Sequence, residues 1–428
     1  MSSTQQKNYT LPIIMMILLF GMISFVTNLA APMGVVLKNQ FGVSNFMGML
    51  GNFANFIAYA VMGIPAGKLL EKVGYKKTAL IAIVVGFVGV GIQVLSGTAG
   101  SFAVYLLGAF VAGLSMCMLN TVVNPMLNTL GGAGNKGNQL IQIGGSFNSL
   151  MGTLVPILVG ALVGEVTKAN ITDVYPVMYI ALGIFALVGI VLYFVDIPEP
   201  HVTKADASLE KSPYSAWSFR HFVMGAIAIG VYVGIEVGIP GTLMLFIADP
   251  NTGVENGASS AGVVAGTYWF LMLVGRFIGA SIGAKVSSKS MLTVASGLGL
   301  VLVALAIFSP VTSKISMPVI NTGASITLGM AEVPINALFL VLCGLCTSVM
   351  WGGIFNLAVE GLGKYIAAAS GIFMMMVCGG GILPLIQNAI ADAAGYLTSY
   401  WIPFLGLAYL LYYALVGSKN INKDIPVD

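Results

Sequence analysis

The chain has 428 residues, of which 57% are hydrophobic and only 8% are charged, and its mean hydropathy is +0.95. Ordinary soluble domains contain about a quarter charged residues, so this composition excludes a soluble globular protein and indicates a chain that lies mostly in lipid. The net charge of +3 is too small to indicate a nucleic-acid partner.

Twelve apolar stretches are each long enough to cross the roughly 30 Å of hydrocarbon in a bilayer. In chain order they cover residues 11–36, 46–67, 78–97, 101–127, 139–165, 173–195, 218–248, 261–285, 289–310, 334–359, 366–391 and 398–417. The polar leader Met1–Thr10 runs straight into the first stretch, so no cleavable signal peptide is expected. We therefore predict an all-α membrane protein with twelve transmembrane helices.

The loop between the second and third stretches, GKLLEKVGYKK, carries a specific motif. Its defined positions are Gly67, Glu71, Lys72, Gly74, Lys76 and Lys77. The glycines allow a tight exit and a turn, while the charged residues hold the loop at the cytoplasmic surface. The spacing resembles the loop signature of the major facilitator superfamily at every defined position, and a generic basic loop is the alternative. The resemblance implies a conformational loop in a carrier built of two parallel six-helix repeats.

A long polar connector, Asp196–Arg220, separates the first six stretches from the last six and contains three prolines. We predict a first six-helix half over residues 1–195, a cytoplasmic linker over 196–217 and a second six-helix half over 218–428. Together the halves would form two six-helix pseudo-repeats. A second polar stretch, Val311–Val333, shows little periodicity and is predicted to be an exterior loop.

The distribution of Lys and Arg predicts the orientation. With the N-terminus inside, fourteen of the eighteen Lys and Arg residues fall in cytoplasmic segments, three fall on the opposite side, and Arg276 lies within a helix. Short cytoplasmic loops carry an excess of these residues. We therefore predict a multi-pass protein of the cytoplasmic (inner) membrane with both termini in the cytoplasm.

The seventh stretch carries one carboxylate, Glu236, in the middle of a long apolar run. A charge at the bilayer centre costs roughly 2.5–3.5 kcal/mol on insertion scales, so Glu236 is expected to face an internal cavity. The alternative is a protonated Glu236 that hydrogen-bonds a neighbouring helix. Glycines at positions 230, 234 and 238 line one face of this helix and let another helix come close, and Pro240 would loosen the backbone after Glu236.

Three other features of the second half are open to more than one interpretation. Arg276 could pair with Glu236 or bind an acidic sugar, but its place in the eighth stretch favours a position near the cytoplasmic helix end, capping carbonyls or snorkelling. Glycines 379–381, followed by Pro384, indicate a helix that can bend. All four cysteines lie in apolar runs, and we interpret them, including the pair Cys343 and Cys346, as packing residues.

Several longer segments narrow the resemblance. They are LNTVVNPMLNTLG (119–131), SFNSLMGTLVP (146–156), YVGIEVGIPG (232–241), YWFLMLVGRFIG (268–279), FNLAVEGLGK (355–364) and SGIFMMMVCGGGILPLIQNAIAD (370–392). Together they resemble the fucose–proton symporter family of that superfamily, which includes fucose, glucose/galactose and N-acetylglucosamine permeases. The resemblance implies inward sugar transport by alternating access, driven by a cation gradient.

Three positions depart from this family's pattern. Asn120 stands where members usually have a Glu in an E-T-x-x-N-P motif, no Asp occurs in the first stretch, and Gly145 replaces a Gln. The departures put the family's usual proton carrier and sugar contacts in doubt. Since a symporter must link its affinities for cation and substrate, Glu236 becomes the main candidate for the cation-coupling residue, binding either a proton or, if it stays ionised, a sodium ion.

Amides and aromatic side chains are the candidate substrate contacts. A buried amide needs partners for its donors and its acceptor, and the hydroxyls of a sugar can supply them. The candidates are Asn28, Asn55, Asn120, Asn124, Gln142, Asn148, Tyr268, Trp269, Trp351 and Asn356, with Asn52 and Phe355 as further residues of the same kinds. For each amide the alternative is a helix–helix hydrogen bond, and for each aromatic residue it is core packing or lipid contact.

These observations predict a symporter that imports a monosaccharide or small glycoside together with a proton or a sodium ion. We expect a transporter rather than an enzyme, acting as a monomer, with no cofactor and no metal, because the sequence has no nucleotide-binding loop, metal-ligand cluster or catalytic triad. One alternative is an exporter of hydrophobic compounds, which would favour aromatic residues over cavity amides. The other is a membrane sensor that has lost transport.

Overall fold

The protein is described here by a computed structural model that covers residues 9–42, 50–132, 134–163, 170–199, 213–254, 257–322 and 326–427. Its helices are α1 Thr10–Phe41, α2 Leu50–Val73, α3 Tyr75–Ala99, α4 Phe102–Leu130, α5 Gly134–Val163, α6 Tyr175–Phe194, α7 Arg220–Ala248, α8 Gly257–Ile282, α9 Ser288–Phe308, α10 Ile335–Thr347, α11 Met350–Val359, α12 Ile366–Met375, α13 Gly379–Ala394, α14 Tyr396–Ser399 and α15 Trp401–Tyr412, which continues as a π-helical turn Tyr413–Gly417. Two strands, β1 Lys314–Thr322 and β2 Ile326–Pro334, complete the fold.

The predicted all-α architecture is confirmed. Eleven helical segments of the described residues are long and apolar enough to cross a membrane. A further helix of 30 residues, α5, covers the remaining predicted stretch. The chain is therefore a multi-pass membrane protein. Length and hydropathy suffice to predict these helices because the bilayer leaves the backbone no other hydrogen-bonding partners.

The helices pack in two groups, α1–α6 and α7–α15, which we call the first half and the second half. The halves meet mainly through α2 against α12 and α5 against α8. These contacts lie at the end of the molecule that carries Lys68, Lys285 and Lys364, which we call the lysine-rich end. The bounds of the predicted linker fall partly outside the described residues and stay a prediction.

Glycines allow the closest approach between the halves. A Cβ atom added at Gly67 of α2 would lie 3.0 Å from the Cα of Gly371 in α12, and one added at Gly63 would lie 2.5 Å from the backbone nitrogen of Met375. Small residues at such positions let two backbones touch, which is how helices associate in a membrane. The predicted glycine face of α7 is formed in the same way, since Gly230 lies against the backbone of Gly379.

The helix α7 continues without interruption through Pro240, which is buried, so the expected loosening of the backbone does not end the helix. Proline has no N–H group, and the donor that it lacks would otherwise bind the carbonyl of Glu236, four residues earlier. The consequence of Pro240 is therefore local: it removes the intrahelical donor for one carbonyl oxygen beside the carboxylate.

The segment Val311–Val333, predicted to be an exterior loop with little periodicity, has regular structure, because β1 and β2 pair there as an antiparallel hairpin with Pro318 opposite Met330. Its location outside the membrane stays a prediction. Alternate residues Met317 and Val319 are buried against the helices, and the backbone N–H of Ile320 donates to the hydroxyl of Thr267 in α8 at 2.9 Å. Pro318 and Gly329 obscured this alternation in the sequence. Residues 323–325, at the turn, lie outside the described residues.

Two predicted membrane stretches are broken. The α10 helix ends at Thr347 and α11 begins at Met350, while a short 3₁₀ turn, Met376–Cys378, separates α12 from α13. The second break lies directly before glycines 379–381, where the sequence indicates a helix that can bend. Irregular backbone at membrane depth is tolerated only where it is buried in protein or lines a cavity. Both breaks lie beside the cavity described next.

Candidate functional site

A cavity of about 200 Å³ lies between the two halves, and we call it the central cavity. The side chains Ser348 and Val377, at the two helix breaks, form part of its wall. The predicted residues that line it are Asn28, Asn120, Gln142, Asn148, Glu236 and Trp351. The structure thus brings six of the predicted site residues from five helices around one space.

The charged side of the central cavity is an ion pair between Glu236 of α7 and Arg276 of α8. The Nη2 atom of Arg276 lies 3.1 Å from Oε1 of Glu236, and the two side chains are only 11% and 14% exposed. The expectation that Arg276 snorkels to the helix end is therefore wrong, and the alternative pairing with Glu236 is confirmed. A carboxylate at this depth needs a partner, and the guanidinium supplies it.

Arg276 also reaches across to the first half. Its Nη1 atom donates to the backbone carbonyl of Gly145 at 3.0 Å and to the hydroxyl of Ser149 at 2.6 Å, both on α5. A Cβ atom at Gly145 would already lie 3.6 Å from Cδ of Arg276. The side chain of Arg276 therefore passes directly over Gly145, the position that departs from the family pattern.

The amide side of the cavity comes from α1 and α4. The Nδ2 atom of Asn28 donates to the carbonyl and hydroxyl of Ser24 at 2.8 and 2.9 Å. The Nδ2 atom of Asn120 donates to the Tyr59 hydroxyl at 2.8 Å and to the carbonyl of Met116 at 3.1 Å. Both amides thus use their N–H groups within the protein, which fixes the direction of the side chains.

Two contacts join the halves at the cavity floor. The Nε2 atom of Gln142 donates to the carbonyl of Val349, in the break between α10 and α11, at 2.9 Å. The indole N–H of Trp351 donates to Oδ1 of Asn124 at 2.9 Å. Asn124 is fully buried and donates to the carbonyl of Asn120. It therefore fixes the indole of Trp351 from behind the residues that line the cavity.

The remaining predicted contacts fall elsewhere. Tyr268 is buried within the second half, where its hydroxyl lies 2.9 Å from that of Thr347, and Trp269 is 42% exposed and packs edge-on against Tyr268. Neither lines the central cavity. Asn55 lines a separate cavity of about 30 Å³ in the first half. The side chain of Asn52 lies outside the described ones.

Asn356 lies beneath the central cavity, at the lysine-rich end. It lines a wider polar cavity of about 890 Å³ between the halves there. Its Nδ2 atom donates to Ser288 at 2.8 Å, and its Oδ1 atom accepts from Asn128 of the first half at 2.5 Å. Asn356 therefore joins the halves rather than lining the central cavity.

Sequence reasoning missed several residues of the site. Ser149 and Tyr59, which hold Arg276 and Asn120, belong to helices whose inward faces the sequence does not reveal. Phe20 and Phe56 add aromatic surface to the wall. Ser24 is the one of these residues that the sequence could have predicted. It lies one turn before Asn28, and residues i and i+4 share a helix face.

The loop that joins α2 and α3 has a partner that the sequence did not indicate. Both carboxylate oxygens of Glu199, just after α6, accept backbone N–H groups at the start of α3: Tyr75 at 2.6 Å and Lys76 at 3.0 Å. Gly74 adopts φ +88° and ψ 175°, a conformation almost restricted to glycine. Gly74 thus forms the predicted turn, and Glu199 caps the helix that follows it.

Further contacts join the halves at the lysine-rich end. The Nε2 atom of Gln139 in α5 donates to the carbonyl of Ala280 in α8 at 3.0 Å. Together with the α2–α12 glycine contact, it holds the two halves against each other below the central cavity. Among the described residues, no group of three or more His, Cys, Asp or Glu side chains could hold a metal ion. The four cysteines are free thiols, and three of them are buried.

Comparisons with known proteins agree with this architecture. The sequence model of the Major Facilitator Superfamily matches residues 13–384. A glucose/galactose transporter of Brucella abortus is 30% identical over 423 residues, which cover 98% of this chain and 97% of the relative. The L-fucose-proton symporter of Escherichia coli is 22% identical over 445 residues, which cover 98% of this chain and 96% of the relative. The crystal structure of the superfamily transporter FucP in the outward conformation matches with a TM-score of 0.82 at 20% identity, over 97% of this chain and 100% of that one.

Proposed function

Because the chain belongs to the major facilitator superfamily and, within it, to the fucose–proton symporter family, we propose that it imports a small neutral sugar in symport with a cation. The substrate is a monosaccharide or small glycoside, and it crosses by alternating access. The observation that carries this proposal is the central cavity, where amides of the first half face the Glu236–Arg276 ion pair of the second.

The chemistry of the cavity suits a sugar. The N–H groups of Asn28 and Asn120 already donate within the protein, so their amide oxygens are the atoms that would accept hydrogen bonds from sugar hydroxyls. Trp351 presents an aromatic surface on the opposite side, held in place by Asn124. Binding sites for sugars need both convergent polar groups and an apolar surface for the ring face.

Coupling to a cation would occur at Glu236. A proton or a metal cation that binds this carboxylate competes with Arg276, because one negative charge cannot satisfy both. Loss of the ion pair would weaken the hold of Arg276, which also contacts α5 of the first half. Binding of the cation would thus favour separation of α5 from α8 at the lysine-rich end. By linkage, the opening transition and the cation affinity would influence each other equally.

Both proton and sodium remain candidates for the coupling ion. A proton needs only the carboxylate, and the symporter of Escherichia coli is named for a proton. A sodium ion would need several oxygen ligands, and the carbonyl of Glu236, whose helical donor Pro240 removes, would stand beside the carboxylate. Accumulation of sugar in sodium-free buffer under an imposed pH gradient indicates a proton. Accumulation that requires a sodium gradient indicates sodium.

We also propose a membrane location and an orientation for the protein. The two halves would act as the rocking units, with both termini and the lysine-rich end in the cytoplasm of a cell whose inner membrane holds the protein. The described conformation, closed at that end, would then be the one that receives sugar from outside. We propose that a single chain suffices, because the central cavity is built between the halves of one chain.

Counterflow tests the proposed substrate class directly. Proteoliposomes that hold the purified protein and an excess of unlabelled sugar are placed in a trace of the labelled sugar, using fucose, glucose, galactose and N-acetylglucosamine in turn. Transient uptake of at least one of them above empty liposomes is the expected result. Transport of lipophilic dyes with no sugar counterflow would instead identify an exporter of hydrophobic compounds, and no movement of either would favour a sensor.

A further inference from the structure

An apolar groove of about 610 Å³ lies on the outer surface of the first half, between α3 and α6. Its wall includes Leu80, Ile83 and Phe87 of α3 and Ala186 and Ile190 of α6. Val84 and Ile190 in this wall are 62% and 60% exposed. Both helices are long enough to cross the membrane, so this surface faces lipid. The groove is separate from the central cavity.

The position of the groove along the helices matches one leaflet. It starts at Leu80, in the second turn of α3, and ends near Phe87, ten residues beyond Lys77. At 1.5 Å per residue, ten residues of helix span about 15 Å, which is half of the hydrocarbon core. On α6 the groove runs down to Tyr193 and Phe194, at the end of that helix. It therefore occupies the leaflet at the lysine-rich end.

Two lysines stand at the polar end of the groove. Lys76 precedes Leu80 by four residues and Ile83 by seven, so it continues the stripe of α3 that lines the groove. Lys77 is exposed beside it. Glu199 already occupies the backbone N–H groups at the start of α3. The lysine side chains are thus the cationic groups available to an anion at this place.

We propose that this groove binds an acyl chain of an anionic phospholipid whose head group is held by Lys76 and Lys77. An apolar slot one leaflet deep that ends at two amines matches the two parts of such a lipid, and each lysine near an anionic lipid surface contributes about 1 kcal/mol, a factor of about five in affinity. A second copy of the chain fits the groove less well. A two-fold interface through α3 and α6 would place both lysine pairs close together.

The site lies against the loop that joins α2 and α3. Lys76 and Lys77 are the last two positions of the motif over residues 67–77, and Gly74 sets the direction in which α3 leaves that loop. A lipid held there would contact the first half alone, since both α3 and α6 belong to it. Lipid binding at this site is independent of the transported substrate and can be measured without transport.

Native mass spectrometry of the full-length protein in mild detergent provides the test. The protein is titrated with 1-palmitoyl-2-oleoyl-phosphatidylglycerol and, separately, with the phosphatidylcholine that has the same acyl chains. We expect a saturable phosphatidylglycerol adduct and a weaker phosphatidylcholine one. In the double variant Lys76→Gln/Lys77→Gln the phosphatidylglycerol affinity should fall about thirtyfold. The control Lys419→Gln/Lys423→Gln makes the same charge change at exposed residues of the same end and should retain the affinity.

A second pair of variants tests the groove itself. Ala186→Leu adds bulk inside the groove and should reduce the affinity for both lipids. Gly183→Leu adds bulk on the same helix at a place open to its surroundings and should not. The proposal is overturned if both lysine pairs lower the affinity equally, if Ala186→Leu binds like wild type, or if the two lipids bind alike. A dimer that Ala186→Leu dissociates would assign the groove to a second copy instead.

Discussion

The two walls of the central cavity are built differently. The first half presents amides on α1, α4 and α5, three helices that run past the cavity without a break. The second half presents an ion pair, Glu236 and Arg276, beside two interrupted helices, α10–α11 and α12–α13. The difference indicates a division of roles. The first half holds fixed hydrogen-bonding groups, while the second half carries the charge and the backbone that can rearrange.

Arg276 connects the two kinds of wall. It belongs to the second half, yet two of its hydrogen bonds end on α5 of the first half, at Gly145 and Ser149. Any movement that separates α5 from α8 must break these bonds. The charge state of Glu236 is therefore linked to the interface between the halves through one side chain, that of Arg276.

The largest effect on stability is expected from Arg276→Leu. This change leaves Glu236 buried without its partner, and breaking a buried pair on one side costs about 3–5 kcal/mol. The double variant Glu236→Gln/Arg276→Leu removes both charges and should recover most of the loss. Thermal unfolding of the three proteins in the same detergent measures the difference. A double variant no more stable than Arg276→Leu alone would show that the pair does not determine stability in the second half.

The next effect concerns the amide wall. Asn120→Ala leaves the Tyr59 hydroxyl without its donor and removes a proposed sugar contact. We expect sugar affinity to weaken by about 1–3 kcal/mol without loss of folded protein. Trp269→Leu, an exposed position outside the cavity, should bind sugar as wild type does. Equal affinities of Asn120→Ala and wild type in a binding titration would remove Asn120 from the site.

Gly74→Val tests whether the loop acts on the conformational change rather than on the sugar. A side chain at φ +88° and ψ 175° costs about 1–3 kcal/mol of strain, and it would also meet the Glu199 carboxylate. We expect the rate of transport to fall about tenfold while sugar affinity from outside stays nearly unchanged. Gly91→Val, a helical position with open space, serves as the control. A proportional loss of affinity and rate would contradict this role.

The smallest effect is expected at the interface between α5 and α8. Gln139→Ala removes one hydrogen bond between the halves, worth about 1 kcal/mol, and should shift the population about fivefold toward opening at the lysine-rich end. Labelling of a cysteine introduced at Asn135, which lines the polar cavity of that end, reports the opening. The exposed variant Lys136→Ala should label at the wild-type rate. Identical labelling of Gln139→Ala and wild type would show that this bond does not hold the end closed.

The sequence predicts the helices well because each stretch must span the same thickness of hydrocarbon. It predicts the interruptions poorly. The break at Ser348 carries no proline or glycine, and a side chain of the other half contacts it, since Gln142 donates to the carbonyl of Val349. The hairpin over residues 314–334 was missed because Pro318 and Gly329 interrupt the alternation that marks a strand.

The candidate site shows the same limit. Glu236 could be predicted because an isolated carboxylate in an apolar run has few tolerable places. The position of Arg276 could not, because it depends on the long side chain extending past Gly145 of another helix. Tyr268 and Trp269 do not line the central cavity, and the sequence could not indicate this because it does not show which face of α8 turns inward.

The central claim, that Glu236 couples sugar movement to a cation, is tested most directly by Glu236→Gln in proteoliposomes. Uphill accumulation is measured under an imposed proton or sodium gradient, and counterflow of the same sugar is measured without a gradient. The variant should lose accumulation completely and retain counterflow, because it keeps a hydrogen-bonding side chain in the cavity but cannot bind a cation by charge. If Glu236→Gln still concentrates sugar against its gradient, the coupling site lies elsewhere.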